Sequence, residues 1–110
     1  MKFFKQLRHA RKLGKAQGLV MNNRYAEAKV LLNELFESSP PEYMVILLHS
    51  IMGEVEYNLS NYDNAMKHLE ICIKDSVENP ETWKDESLME ILERVHWFYK
   101  NSEVKHNKRH

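Results

Sequence analysis

GEVEYNLSNYDNAMKHLEICI, residues 53–73, is the stretch that decides the fold. Val55 and Leu59 continue an apolar line begun by Leu47 and Ile51, each member four positions after the last. That spacing marks one face of a helix. Ser60-Asn61 interrupts the line, and Asn61 is a suitable cap for a second helix. From Tyr62 onward, Ala65, Met66, Leu69, Cys72 and Ile73 again fall three and four apart. The stretch therefore reads as the end of one amphipathic helix, a tight turn, and a second helix.

The pattern occurs twice. Tyr25-Ala26-Glu27-Ala28 aligns with Tyr62-Asp63-Asn64-Ala65, and Leu32, Leu35 and Phe36 then align with Leu69, Cys72 and Ile73, at a constant offset of 37 residues. A helix pair recurring at about 30 to 45 residues is the signature of a helical solenoid.

Outward from the repeat, the remaining chain is also helical by period. A first helix spans 2–21. Phe3, Phe4 and Leu7 open its apolar stripe, and Ala10, Gly14 and Gly18 continue it with small residues suited to close approach by a neighbouring helix. A second helix runs over 24–38 after Asn22-Asn23. Ser39-Pro40-Pro41-Glu42 has the form of a capping box before a third helix, which ends near Leu59. The fourth covers 62–77. Asn79-Pro80-Glu81 signals a fifth over 80–100, with Leu88, Ile91, Leu92, Val95, Phe98 and Tyr99 on one face. Residues 102–110 (SEVKHNKRH) lack periodicity and are expected to be a disordered basic tail. Residues 1–101 form one domain, and no stretch alternates as a strand does.

Composition narrows the function classes. The chain has 110 residues, 43% hydrophobic and 29% charged, with one cysteine, Cys72, so no intramolecular disulfide can form. The basic start is not followed by an apolar run of signal-peptide length, and the longest apolar run, 43–48, is too short to cross a bilayer. A cytoplasmic location is expected. The net charge of zero hides an asymmetry. Lys2, Lys5, Arg8, Arg11, Lys12, Lys15 and Arg24 are accompanied by no acid in residues 1–26, whereas residues 27–104 hold all sixteen acids. The tail adds Lys105, Lys108 and Arg109.

With these residues in hand, the chain resembles the tetratricopeptide repeat family. Residues 46–78 are the better copy: Gly53 takes the small first-helix position, Tyr57 and Tyr62 the aromatic positions around the turn, Ala65 the helix-contact position, and Leu69 and Cys72 the large and small second-helix positions. Residues 9–40 keep Ala16, Tyr25, Ala28, Leu32 and the closing Pro40. His49 replaces a tryptophan, Ser60 a turn glycine and Val77 a closing proline, and the repeat is three residues longer than the family's. The resemblance implies an all-α, right-handed five-helix superhelix, with two helix hairpins and a C-terminal capping helix. It also implies a non-catalytic module that binds a protein or peptide on its concave face. By phase that face comprises Leu13, Gln17, Val20, Met21, Leu47, Ser50, Glu54, Tyr57 and Asn58. Glu54 stands at the asparagine position of the carboxylate-clamping subgroup, which argues against that ligand class.

Little in the chain suggests chemistry. His68 and Cys72 share a helix face, but two ligands fall short of a structural zinc site, and Cys72 lies on the apolar stripe. Glu93 and His96 form one Glu-x-x-His motif, where a di-iron bundle needs two and further carboxylates. No phosphate loop, zinc-protease motif or nucleophile elbow is present. No catalytic residue, metal or cofactor is expected. Two alternatives to the binding module remain. The acidic centre suits an immunity- or antitoxin-type inhibitor of a basic toxin. The basic first helix, with Phe3 and Phe4 as wedges, suits peripheral contact with an anionic membrane; nucleic acid is the disfavoured reading of the same stripe, and lysine stripes, being sequence-unspecific signals, name neither partner. Trp97, off the fifth helix's stripe, points to a contact surface and to homodimerisation.

Overall fold

A computed structural model describes residues 2–108, with the side chains of Lys2 and Phe3 left out. The expected wedge role of Phe3 and the charge of Arg109 thus fall outside the described residues. Five α-helices account for nearly all of the rest: α1 (Lys2–Met21), α2 (Tyr25–Glu37), α3 (Glu42–Asn58), α4 (Tyr62–Glu78) and α5 (Glu86–Lys108). One 3-10 turn, Thr82–Lys84, precedes α5, and no strand occurs among the described residues. Successive helices pack against each other, and α3 also meets α5. The all-α, five-helix expectation agrees with this architecture.

Two apolar clusters hold the helices. Ala16 of α1, Ala28, Leu32 and Leu35 of α2, and Met44, Leu48, Met52 and Val55 of α3 form the first. Ala65, Leu69 and Cys72 of α4, with Trp83 and Val95, form the second. Burying each of these large side chains contributes about 1.5–3 kcal/mol. Gly53 lets α3 and α4 come close, because a methyl group there would fall 2.5 Å from Leu69 Cγ. Glu56 is 3% exposed, and Lys29 from α2 neutralises it at 2.9 Å.

The turns between paired helices repeat as the sequence does. Asn23 takes φ 60° and Ser60 φ 65°, both left-handed. Arg24 N–H donates to the Leu19 carbonyl and Asn23 N–H to Val20, while Asn61 N–H donates to Glu56 and Ser60 N–H to Tyr57. Each turn is the paired 6→1 and 5→2 closure that ends a helix by satisfying its last carbonyls.

Several local expectations give way. Gly14 and Gly18 face open space, with no atom within 4 Å of an added methyl, so they are not a close-approach stripe. The buried positions of α1 are instead His9 and Ala16, with Leu13, Leu19 and Val20 partly covered. Ser39 does not cap α3. It adopts φ 54° after the end of α2, and Pro41 occupies the position before α3. Asn61 likewise makes no side-chain cap; its amide reaches Glu56 Oε1 at 3.4 Å.

The fifth helix starts later and ends later than the period implied. The Trp83 indole N–H donates to Asp75 Oδ2 at 2.7 Å and the ring is buried, which holds residues 82–84 in a tight turn against α4. Asp85 then caps α5 by accepting the Leu88 N–H at 3.2 Å. Residues 102–108 are helical, which corrects the expectation of a disordered tail beginning at 102. Ser102 is fully buried, and Lys105 Nζ lies over the rings of Tyr57 at 5.4 Å and Tyr62 at 5.8 Å. Lys105 and Lys108 also place positive charge at the negative end of the helix.

Candidate functional site

A concavity of about 600 Å³ opens between α1, α3 and α5. Its walls follow from helical phase. Gln17, Val20 and Met21 come from the last turn of α1, and Leu47, Ser50, Ile51 and Glu54 form one face of α3. Ile91, Arg94, Val95 and Phe98 face them from α5, at the same i, i+3, i+4, i+7 spacing. Asn23 and Tyr25 close one end, with the Tyr25 hydroxyl donating to Asn23 Oδ1 at 2.9 Å.

Six of the nine residues expected on the concave face line this groove: Gln17, Val20, Met21, Leu47, Ser50 and Glu54. Leu13 packs against the first apolar cluster instead. Asn58 is exposed beyond the lining, and its amide donates to the Glu54 carbonyl at 2.8 Å. Tyr57 is turned into an aromatic cluster, with Phe98 at 5.2 Å, Tyr62 at 5.7 Å and Trp97 at 5.8 Å between ring centroids. Its phase placed it toward the groove, but α5 covers it. The wall given by α5 was missed in the sequence. Ile91, Val95 and Phe98 lay on its apolar stripe in plain sight, yet their target surface was not legible.

Polar groups in the groove are mostly engaged. Arg94 bridges to Glu54 at 2.6 Å, tying α5 to α3 across the concavity, and its guanidinium also lies 5.7 Å from the Phe98 ring centre. The Ser50 hydroxyl donates to the Leu47 carbonyl at 2.7 Å. Met21 is 83% exposed at the rim, and Trp97 beside Phe98 is 54% exposed. A mostly apolar trough with one movable ion pair suits recognition of a side chain or a helix face. None of these groups forms a nucleophile–base pair.

The titratable groups elsewhere are packed rather than poised. Cys72 Sγ–H points to the Ile46 carbonyl at 3.5 Å, and burial, with Asp75 second, pushes its thiol up to about 12. His68 meets His49 across α3 and α4 with 2.9 Å between Nδ1 atoms, and Phe36 lies 4.9 Å from the His49 ring and 6.0 Å from the His68 ring. Such a contact requires that only one Nδ1 carry a proton. Desolvation, then the His68 charge, lowers His49 to about 4. His68 is also lowered, by desolvation first, with Glu56 opposing and Lys29 assisting. Glu93 and His96 are exposed. No group of three or more His, Cys, Asp or Glu side chains fit to hold a metal ion occurs among the described residues. No helix among the described residues is long and apolar enough to cross a membrane.

No protein-family model, curated protein or solved structure matches the chain.

Proposed function

We propose that this chain is a non-catalytic interaction module of tetratricopeptide-repeat type, which binds a protein or peptide segment in the groove between α1, α3 and α5. The observation that carries the reading is the convergence of Gln17, Val20, Met21, Leu47, Ser50 and Glu54 on one open trough. These residues come from the first helix of each repeated pair, the helices that face the ligand in such modules. The chemistry of the trough favours a ligand with an apolar anchor and an adjacent charge. The anchor fits between Leu47, Ile51 and Phe98, and the charge can exchange into the exposed Glu54–Arg94 pair.

A second copy of this chain is one admissible occupant, so light scattering over a range of concentrations belongs with the test. The test itself compares wild type with Gln17→Arg and Ser50→Arg, each of which fills the trough, as baits for cross-linking and mass spectrometry. A specific partner should be lost from both variants and kept by Lys67→Ala, which lies on α4 outside the trough. Partner capture that ignores both groove substitutions, with the circular dichroism of the variants unchanged, would count against the proposal.

A further inference from the structure

A second cavity, of about 400 Å³, lies on the other half of α1 where it passes the end of α2. Lys5, Arg8, Arg11, Lys12 and Lys15 line it together with His9, and no carboxylate does. Lys5 and His9 also line a smaller depression that continues to Ser39 and Pro41. Of the five cations only Lys12 has a close acid, Glu34 at 3.3 Å. Lys5, Arg8, Arg11 and Lys15 form no ion pair among the described residues.

His9 separates this cavity from an ordinary basic helix face. It is 6% exposed, and its Nε2 lies 2.9 Å from Ser38 Oγ. The Ser38 proton goes to the Leu35 carbonyl at 2.8 Å, so Oγ accepts and Nε2 carries the hydrogen. The other ring nitrogen, Nδ1, is buried without a partner. Buried polar atoms in folded proteins are nearly always satisfied, so an orphan on a ring that lines a cationic cavity points to a missing group.

We propose that this cavity binds a phosphate-type oxyanion, either free phosphate or the phosphomonoester of a larger molecule. The anion relieves the mutual repulsion of cations that have no acids of their own. Arg8 and Arg11 offer planar forks that match two oxygens at once, and Lys5 offers a mobile point charge at the mouth. Nδ1 has almost no accessible surface, so the ring must shift to meet the anion; hydrogen phosphate then satisfies Nδ1 in either state of the ring. It donates its own O–H to a bare Nδ1, or accepts from a protonated one. The exposed basic side chains at the rim are free to adjust as the anion enters.

The test is a titration of the isotope-labelled full chain with sodium phosphate, at ionic strength held constant with sodium chloride, observed by NMR at the His9 ring nitrogens and the Arg8 Nε. Saturable shifts at both are expected. Arg8→Ala, exposed and harmless to the core, should weaken phosphate about three- to tenfold, and Lys67→Ala should not. Vesicles of phosphatidylcholine with phosphatidic acid identify the source. Arg8-dependent sedimentation with them assigns a lipid headgroup, and its absence alongside phosphate binding assigns a soluble phosphate ester. Linear shifts reproduced by chloride would overturn the proposal. So would equal behaviour of Arg8→Ala and Lys67→Ala, or an oligonucleotide that binds the helix without moving the His9 signals.

Discussion

Replacing Gly53 by alanine sets two effects of known sign against each other. Alanine in a helix interior is favoured over glycine by about 1 kcal/mol. Against this, the new methyl would sit 2.5 Å from Leu69 Cγ, and nearer still to a Leu69 methyl, where carbon atoms prefer about 3.5–4.0 Å. Leu69 is fully buried and cannot swing aside into solvent. The strain must instead part α3 from α4, which opens the second apolar cluster at Ala65 and Cys72. Overpacking of this kind costs about 1–3 kcal/mol. Taking the upper part of that range, the net loss is about 1–2 kcal/mol, or a fall of about 5–10 °C in midpoint for a domain of this size.

Thermal and urea unfolding followed by circular dichroism measure it, with the slope of the urea transition confirming that the unfolded states are comparable. A double-mutant cycle supplies the stricter check. Leu69→Ala alone should cost about 2–5 kcal/mol. In that background the Gly53 methyl enters vacated space, so Gly53→Ala should turn from a loss into a gain, with a coupling energy of about 2 kcal/mol. Additive effects, or a stabilising Gly53→Ala in the wild-type background, would show that the two helices do not approach closely at this point.

The same glycine chemistry predicts the reverse on α1: Gly14→Ala and Gly18→Ala have nothing to meet within 4 Å and should each raise stability by about 0.5–1 kcal/mol in urea unfolding. Ser60 sits at φ 65°, where an L-residue with a side chain is held at a cost of about 1–2 kcal/mol, so Ser60→Gly should raise the melting midpoint by several degrees. The exchange forfeits the weak contact of the Tyr62 hydroxyl with Ser60 Oγ at 3.4 Å. His49 supplies a pH signature. Its folded-state value is depressed from 6.5 to about 4, so the unfolded chain takes up the proton first. The stability tied to its neutral form is complete above pH 6.5 and is lost as pH falls from there through about 4. His68 touches the ring and is lowered as well, with Glu56 and Lys29 acting on it. The measurement is therefore a difference: wild type should lose urea stability relative to His49→Leu over that window, and parallel curves would refute the assignment.

Four of the five helices were legible because their apolar period is sustained and each buries one face. The start of the fifth was not. Pro80 and the preceding Asn79 have the form of a helix start, but Trp83 overrides them by docking its indole on Asp75, a contact that no local pattern announces. The helical continuation to Lys108 is hidden for the same reason. Ser102 is buried and Lys105 lies over Tyr57 of α3 and Tyr62 of α4, whereas in isolation SEVKHNK is merely polar. Small residues at i, i+4 spacing read alike whether they face a helix, as at Gly53, or face open space, as at Gly14 and Gly18. The groove was partly legible because phase alone aims Leu47, Ser50 and Glu54 to one side. Tyr57 shares that side, but the covering helix could not be placed from sequence.

The two hairpins agree where they pack and differ where they are open, and this contrast bears on function. At the offset of 37, Ala16 corresponds to Gly53, Ala28 to Ala65, Leu32 to Leu69 and Leu35 to Cys72, and all of these positions are buried. The left-handed residues Asn23 and Ser60 correspond too, with matching backbone closures. Between the first helices, by contrast, Lys12 corresponds to His49 and Gln17 to Glu54. Lys12 faces Glu34 on a cationic surface, whereas His49 is packed against His68 and Phe36. Glu54 is tied to Arg94 of α5, whereas Gln17 carries no charge to bridge. Packing therefore explains what the hairpins share, and it leaves their differences unexplained. Those differences fall on the apolar trough and on the basic cavity of α1. A substitution that exchanges them, such as Gln17→Glu with Glu54→Gln, should leave the unfolding free energy within about 1 kcal/mol of wild type, because only rim charges and one partly exposed ion pair are altered. The same exchange should change which partner the trough retains. If retention is unchanged, recognition does not depend on the polar face of these helices.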